Sequence, residues 1–114
     1  MNDADMSMDY TAVMKELRDF RDQRGWRKYH TLPALARALT VEAAEVNEIF
    51  LWQGDHSELT AEKTAELKME LADTLTYLYY MCDRLHVDPN EIVHEKLKIN
   101  QKRHWTFDKQ QGGQ

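Results

Sequence analysis

Apolar residues recur at steps of three and four along almost the whole chain, and nowhere do they alternate as in a half-buried strand. Val13, Leu17 and Phe20 mark a first helix over roughly Asp9–Gln23, which Gly25 ends. Thr31, with Pro33 in the first turn, can cap a second helix that carries Leu35, Leu39, Val46 and Ile49 toward Trp52, where Gly54 stops it. Thr60 can cap a third over about Ala61–Leu85, with Glu62 at the positive end of the helix dipole and Leu67, Leu71, Leu75, Leu78, Cys82 and Leu85 in step. Asp88, Pro89 and Glu91 then supply a cap, a first-turn proline and a residue able to reach back as in a capping box, so a fourth helix covers roughly Pro89–His104. The pattern predicts an all-α bundle of about four helices in one domain, residues 1–107. The remaining tail, residues 108–114 (DKQQGGQ), has nothing to bury and is expected to be disordered.

One copy of that bundle looks thin. The third helix shows Met69, Leu75, Tyr77, Leu78, Tyr79, Tyr80 and Met81 on more faces than one partner helix covers, which predicts that homo-oligomerisation completes the core.

Length and charge narrow the classes. At 114 residues the chain is enough for one modest core and too short for two ordinary domains. Twenty acidic residues against fifteen basic ones give a net charge of −5, the wrong sign for a partner that is a nucleic-acid polymer. No apolar run is long enough to span a bilayer, and MNDADMSMDY lacks the positive start and apolar stretch of an export signal. The single cysteine, Cys82, falls in an apolar helical segment, where it reads as a small buried hydrophobe. A soluble, cytoplasmic protein with no membrane partner is expected.

Against that background the segment VEAAEVNEIF is out of place, because Glu42 and Glu45 interrupt an apolar helical stripe. Glu42 sits in line with Leu35, Ala38 and Val46, and Glu45 with Val41 and Ile49. MELADTLTYL repeats the arrangement with Glu70 and Asp73, three residues apart, with Met69 and Tyr77 one turn either side of Asp73. Any single pair of this kind is usually a solvated helix face. Here two helices carry matching pairs, and no Lys or Arg lies three or four residues from Glu42, Glu45 or Asp73 to neutralise it. Facing helices would gather four mutually repelling carboxylates, and a divalent cation resolves the conflict. An all-oxygen set suits Mg²⁺. A di-iron or di-manganese bundle would need two Glu-x-x-His motifs, and the chain offers one, Glu91 to His94.

Two further sets belong to the same argument. WRKYH (Trp26 to His30) and FLW (ending at Trp52) place two indoles, a Tyr and a His beside the helix that holds the first pair. They either seal the bundle or hold a flat ring by stacking and edge hydrogen bonds. Lys96, Asn100 and Arg103 form one cationic stripe on the last helix, which either complements the helix dipole or receives phosphate oxygens. Base, metal and cation together describe a nucleotide.

With RGWRKYH, LARALTVEAAEVNEIFLWQ, ELADTLTYL, VD and KLKIN in this order and spacing, the chain from about Phe20 to Arg103 resembles the MazG-like, all-α nucleotide pyrophosphohydrolases, most closely their dCTP pyrophosphatase branch. The resemblance implies hydrolysis of a (deoxy)nucleoside triphosphate to the monophosphate and pyrophosphate, dependent on Mg²⁺ with Mn²⁺ as a substitute, in a homodimer or homotetramer. It implies Glu42, Glu45, Glu70 and Asp73 as catalytic metal ligands, Trp26, His30 and Trp52 around base and sugar, and Tyr77, Lys96 and Asn100, with Arg103, at sugar and phosphates. Val41 and Met69 stand where many members carry a further Glu, and HWTF replaces a common tyrosine and proline after the basic run. One of the four acids, or Glu66 a turn before Glu70, is expected to take the proton of the attacking water. The alternatives are a non-catalytic helical module that binds a nucleotide or partner helix, and a dUTP or phosphoribosyl-ATP pyrophosphohydrolase of the same superfamily.

Overall fold

Four helices begin where a side chain can take the amides that an α-helix leaves unpaired. In the computed structural model, which describes residues 8–54, 56 and 58–103, Asp9 accepts from the Ala12 amide at 2.9 Å and Thr31 from Ala34 at 3.2 Å. Thr60 accepts from Lys63 at 3.0 Å and Asp88 from Asn90 at 2.7 Å. These caps open α1 (Tyr10–Gln23), α2 (Leu32–Glu48), α3 (Ala61–Leu85) and α4 (Pro89–Lys102), with a short 3-10 turn, Arg27–Tyr29, between α1 and α2. Among the described residues there is no strand. Thr60→Ala is expected to cost about 1 kcal/mol in urea denaturation, since the cap bond goes and the packed faces stay.

Two boundaries depart from the sequence pattern. Asp9 is the cap of α1, and α2 ends at Glu48 instead of running toward Trp52. From Asn47 onward the backbone tightens into three-residue turns, with Phe50 N–H bonded to Asn47 O at 3.0 Å and Gln53 N–H to Phe50 O at 3.1 Å. The turn tucks Ile49 into the core and leaves Phe50, Leu51 and Trp52 exposed. At the far end of the chain α4 stops at Lys102, and His104 and residues 108–114, expected in the helix and in the tail, lie outside the described residues. Gly25 leaves α1 at φ +68, a left-handed conformation that favours glycine. His86 closes α3 in the same region, at φ 56, and lets the Val87 amide reach back to Cys82 O at 3.0 Å.

The helices α2 and α3 form the main packed pair, α1 lies on α3, and α4 makes only slight contact with the rest. Met14 of α1, Leu35 of α2 and Tyr80 of α3 meet in the core, with Tyr10, Leu17, Tyr77, Tyr79 and Met81 packed around them. Polar contacts fix α1 on α3. The Tyr80 hydroxyl donates to Leu17 O at 2.7 Å, and Arg18 bonds Asp83 at 2.8 Å. Arg21, almost completely buried, is held by Asp22 at 2.8 Å and Asp83 at 3.6 Å. Cys82 is buried too, and burial pushes its thiol up, which keeps it an inert apolar neighbour.

Much apolar surface remains uncovered. Leu71, Leu75 and Leu78 of α3 and Ile92, Val93, Leu97 and Ile99 of α4 are all exposed. The radius of gyration, 18.1 Å, compares with about 13 Å for a compact chain of this length. No described helix is long and apolar enough to cross a membrane.

Candidate active site

The two acidic pairs meet where α2 packs on α3. Glu42 and Glu45 lie one turn apart on α2, Glu70 and Asp73 one turn apart on α3, and the α2–α3 interface turns these faces toward each other. One oxygen from each of Glu42, Glu45 and Glu70 falls within 4.8 Å of the other two. All three residues are half-buried, and no ion pair of the described residues involves any of them. Oε2 of Glu42 and Oε2 of Glu70 are buried without a hydrogen-bond partner. Asp73 is more exposed and stands beside the trio.

The electrostatics follow from this crowding. Burial raises the Glu42 carboxyl above the ordinary carboxylate range, and the charges of Glu45 and Asp73 push it further. A hydrogen bond with Glu45, burial, and the neighbouring charges of Glu45, Glu42 and Asp73 raise Glu70 in the same direction. Buried carboxylate oxygens with no protein donor, set close enough to share one ion, fit a hard divalent cation. The donors are all oxygen, which suits Mg²⁺ better than a soft metal.

A cavity of about 490 Å³ opens onto this group. Glu42 and Asp73 form part of its wall, and Trp26, His30 and Tyr77 line it as well. The His30 ring meets Tyr80 edge-on at 4.5 Å, and burial together with the charge of Arg21 lowers its pKa, so His30 is neutral at pH 7. Its Nδ1 is buried and unpartnered. Trp26 is held edge-on against Phe20 at 5.7 Å, with the Arg24 guanidinium 3.8 Å above the Phe20 ring. Glu45 and Glu70 line a separate recess of about 270 Å³, together with Glu48, Ile49, Lys63 and Glu66.

The remaining sequence candidates are not brought into this cavity by one chain. Trp52 is 96% exposed in the turn after α2. Lys96 and Asn100 lie on the second half of α4, Arg103 caps its C-terminus, and none of them lines the cavity, although Oδ1 of Asn100 is buried without a partner. Five lining residues were not read as site residues from the sequence: Glu16, Leu17, Phe20, Thr76 and Tyr80. The signal was present, since Glu16 and Phe20 are one turn apart on α1, and Thr76 and Tyr80 repeat that spacing on α3 beside Tyr77.

The profile of the MazG-like family matches residues 38–112, which takes in both acidic pairs and α4. The chain belongs to the MazG-like family. This MazG-like chain is 32% identical over 90 residues to dCTP pyrophosphatase 1 of Mus musculus, an alignment covering 75% of the chain and 53% of the relative. It is equally similar, over the same shares, to dCTP pyrophosphatase 1 of Homo sapiens. It therefore spans about half the length of the curated relatives it matches. A crystal structure of a pyrophosphatase from Archaeoglobus fulgidus superimposes with a TM-score of 0.68 at 37% identity, covering 79% of this chain and 86% of that one. At that identity and overlap the helical architecture is shared along with the sequence.

Proposed function

We propose that this MazG-like protein is a Mg²⁺-dependent nucleotide pyrophosphohydrolase that converts dCTP or a related pyrimidine deoxynucleotide to the monophosphate and pyrophosphate. One observation carries the reading: Glu42, which has a buried, unpartnered carboxylate oxygen and lies close enough to Glu45 and Glu70 to share one ion with them, stands with Asp73 on the wall of a cavity that also carries the rings of Phe20, Trp26, His30, Tyr77 and Tyr80. Relatives named dCTP pyrophosphatase support the substrate class. A cytoplasmic setting, where nucleotide pools reside, goes with it.

In this reading Glu42, Glu45, Glu70 and Asp73 hold the ion, for which Mn²⁺ can substitute. Bound there, it would supply Lewis-acid polarisation of the phosphate oxygens and acidify a water. The protein does the rest. Trp26, His30 and Tyr77 hold the base and sugar against the rings of the cavity, and a carboxylate of the group, or Glu66, accepts the proton of the attacking water. Lys96, Asn100 and Arg103 receive phosphate oxygens, and Trp52 closes over the base, once a second copy of the chain brings them to the cavity. The exposed apolar residues of α3 and α4 support such a homodimer or homotetramer.

Pyrophosphate release from a panel of NTPs and dNTPs, with Mg²⁺ and with EDTA, tests the proposal. Release that needs the metal and favours a pyrimidine deoxynucleotide is the expected result. Silence across the panel from a folded oligomer would leave a nucleotide-binding module without turnover.

A further inference from the structure

Glu16 is an acid on the wall of the aromatic cavity that the metal group does not use. It comes from α1, whereas Glu42 and Asp73 reach the same cavity from α2 and α3. It is not among the charges that raise Glu42 or Glu70, so it stands apart from their group. No hydrogen bond or ion pair of the described residues engages its carboxylate, in contrast to Asp19 on the same helix, which is paired with Lys15 at 3.0 Å.

Glu16 is exposed, and the α1 backbone that carries it is held on both sides. The next residue, Leu17, receives the Tyr80 hydroxyl at 2.7 Å, which pins α1 to α3 at this level. One turn on, Phe20 shares the cavity wall and is locked between Trp26 and the Arg24 guanidinium. The cavity thus offers rings to a flat base and, from the α1 wall, one carboxylate acceptor to that base's edge. A carboxylate accepts hydrogen bonds and donates none, so it favours an exocyclic amino group and opposes a carbonyl oxygen at the same position.

We propose that Glu16 is a specificity-determining residue that selects a nucleotide whose base carries an exocyclic amino group, cytosine over uracil. The inference rests on the function proposed above in taking the cavity as the base pocket, and it adds the residue that distinguishes the two pyrimidines.

The test compares kcat/KM for dCTP and dUTP in wild type, Glu16→Gln and the control Asp19→Asn, alongside calorimetric binding of dCMP and dUMP. Wild type and Asp19→Asn should prefer the amino base. Glu16→Gln, whose amide can turn to donate, should reduce the preference about tenfold, the size of one charge-assisted hydrogen bond at a half-open site, mainly through KM. Its Mg²⁺ requirement and its far-ultraviolet dichroism should be unchanged. An equal preference in wild type and Glu16→Gln overturns the proposal, as does a wild type indifferent to the two bases. If neither triphosphate is hydrolysed but dCMP binds better than dUMP in wild type and not in Glu16→Gln, the hydrolytic reading falls and the role of Glu16 stands.

Discussion

Glu45→Gln should lower pyrophosphate release by about 10²–10³-fold or more while leaving the metal-free protein at least as stable as wild type. The two halves of this result have one cause. Glu45 is the acid whose charge raises Glu42 and whose hydrogen bond raises Glu70, so it lies at the centre of the repulsion. A neutral amide of the same shape removes a metal ligand and removes the repulsion together. A structural acid behaves in the opposite way. Asp83, on α3, takes Arg18 at 2.8 Å and the buried Arg21 at 3.6 Å, so Asp83→Asn should cost about 1–3 kcal/mol and lower the melting temperature without touching the metal group. Steady-state release assays and thermal melts in EDTA, run on both variants, separate the roles. A Glu45→Gln protein that melts well below wild type would show that the trio holds the bundle together and has no special claim on a cation.

What could be read from the sequence was whatever periodicity or capping chemistry controls locally. The starts of α2, α3 and α4 were visible because Thr31, Thr60 and Asp88 cap by the side chains they carry, and the α3 bounds follow from its unbroken stripe. The end of α2 was not, because Phe50, Leu51 and Trp52 continue the apolar pattern while the backbone has already tightened into turns that bury Ile49 alone of that stretch. The meeting of Glu42, Glu45 and Glu70 was legible from spacing, since matched pairs on packed helices must share a face. Arg21 was not legible: a basic residue at the end of an amphipathic helix reads as solvated, and only the fold brings Asp83 from a distant part of the chain to receive it. Glu16 shares a face with Phe20 in the sequence, but which way that face turns depends on the fold. α1 shows its cavity-facing side only once Tyr80 has pinned it to α3.

The acidity of the trio also sets how stability responds to pH and metal. Glu42 and Glu70 titrate higher in the folded protein than in the unfolded chain, so the fold holds more protons in the window just above the ordinary carboxylate value. Stability contributed by these groups therefore falls as pH rises through that window, and the penalty is complete once both are ionised. Asp22 works in the opposite sense, because its hydrogen bond with Arg21 lowers its pKa and its contribution is lost on acidification. The trio is isolated by comparing wild type with Glu70→Gln. In EDTA the wild-type melting temperature should rise relative to the variant as pH is lowered from 8 toward 5. A divalent ion needs the ionised carboxylates, so adding Mg²⁺ should reverse the trend, with stabilisation largest at pH 8 and smallest near pH 5. At a hundredfold excess over Kd that stabilisation amounts to about 2.7 kcal/mol, and Glu70→Gln should lose most of it. Melting curves across pH with EDTA, Mg²⁺ and Mn²⁺ read both signs at once. Equal slopes in wild type and variant would mean that the three carboxylates are solvated and uncoupled in solution, and a metal response that survives Glu70→Gln would place the ion elsewhere.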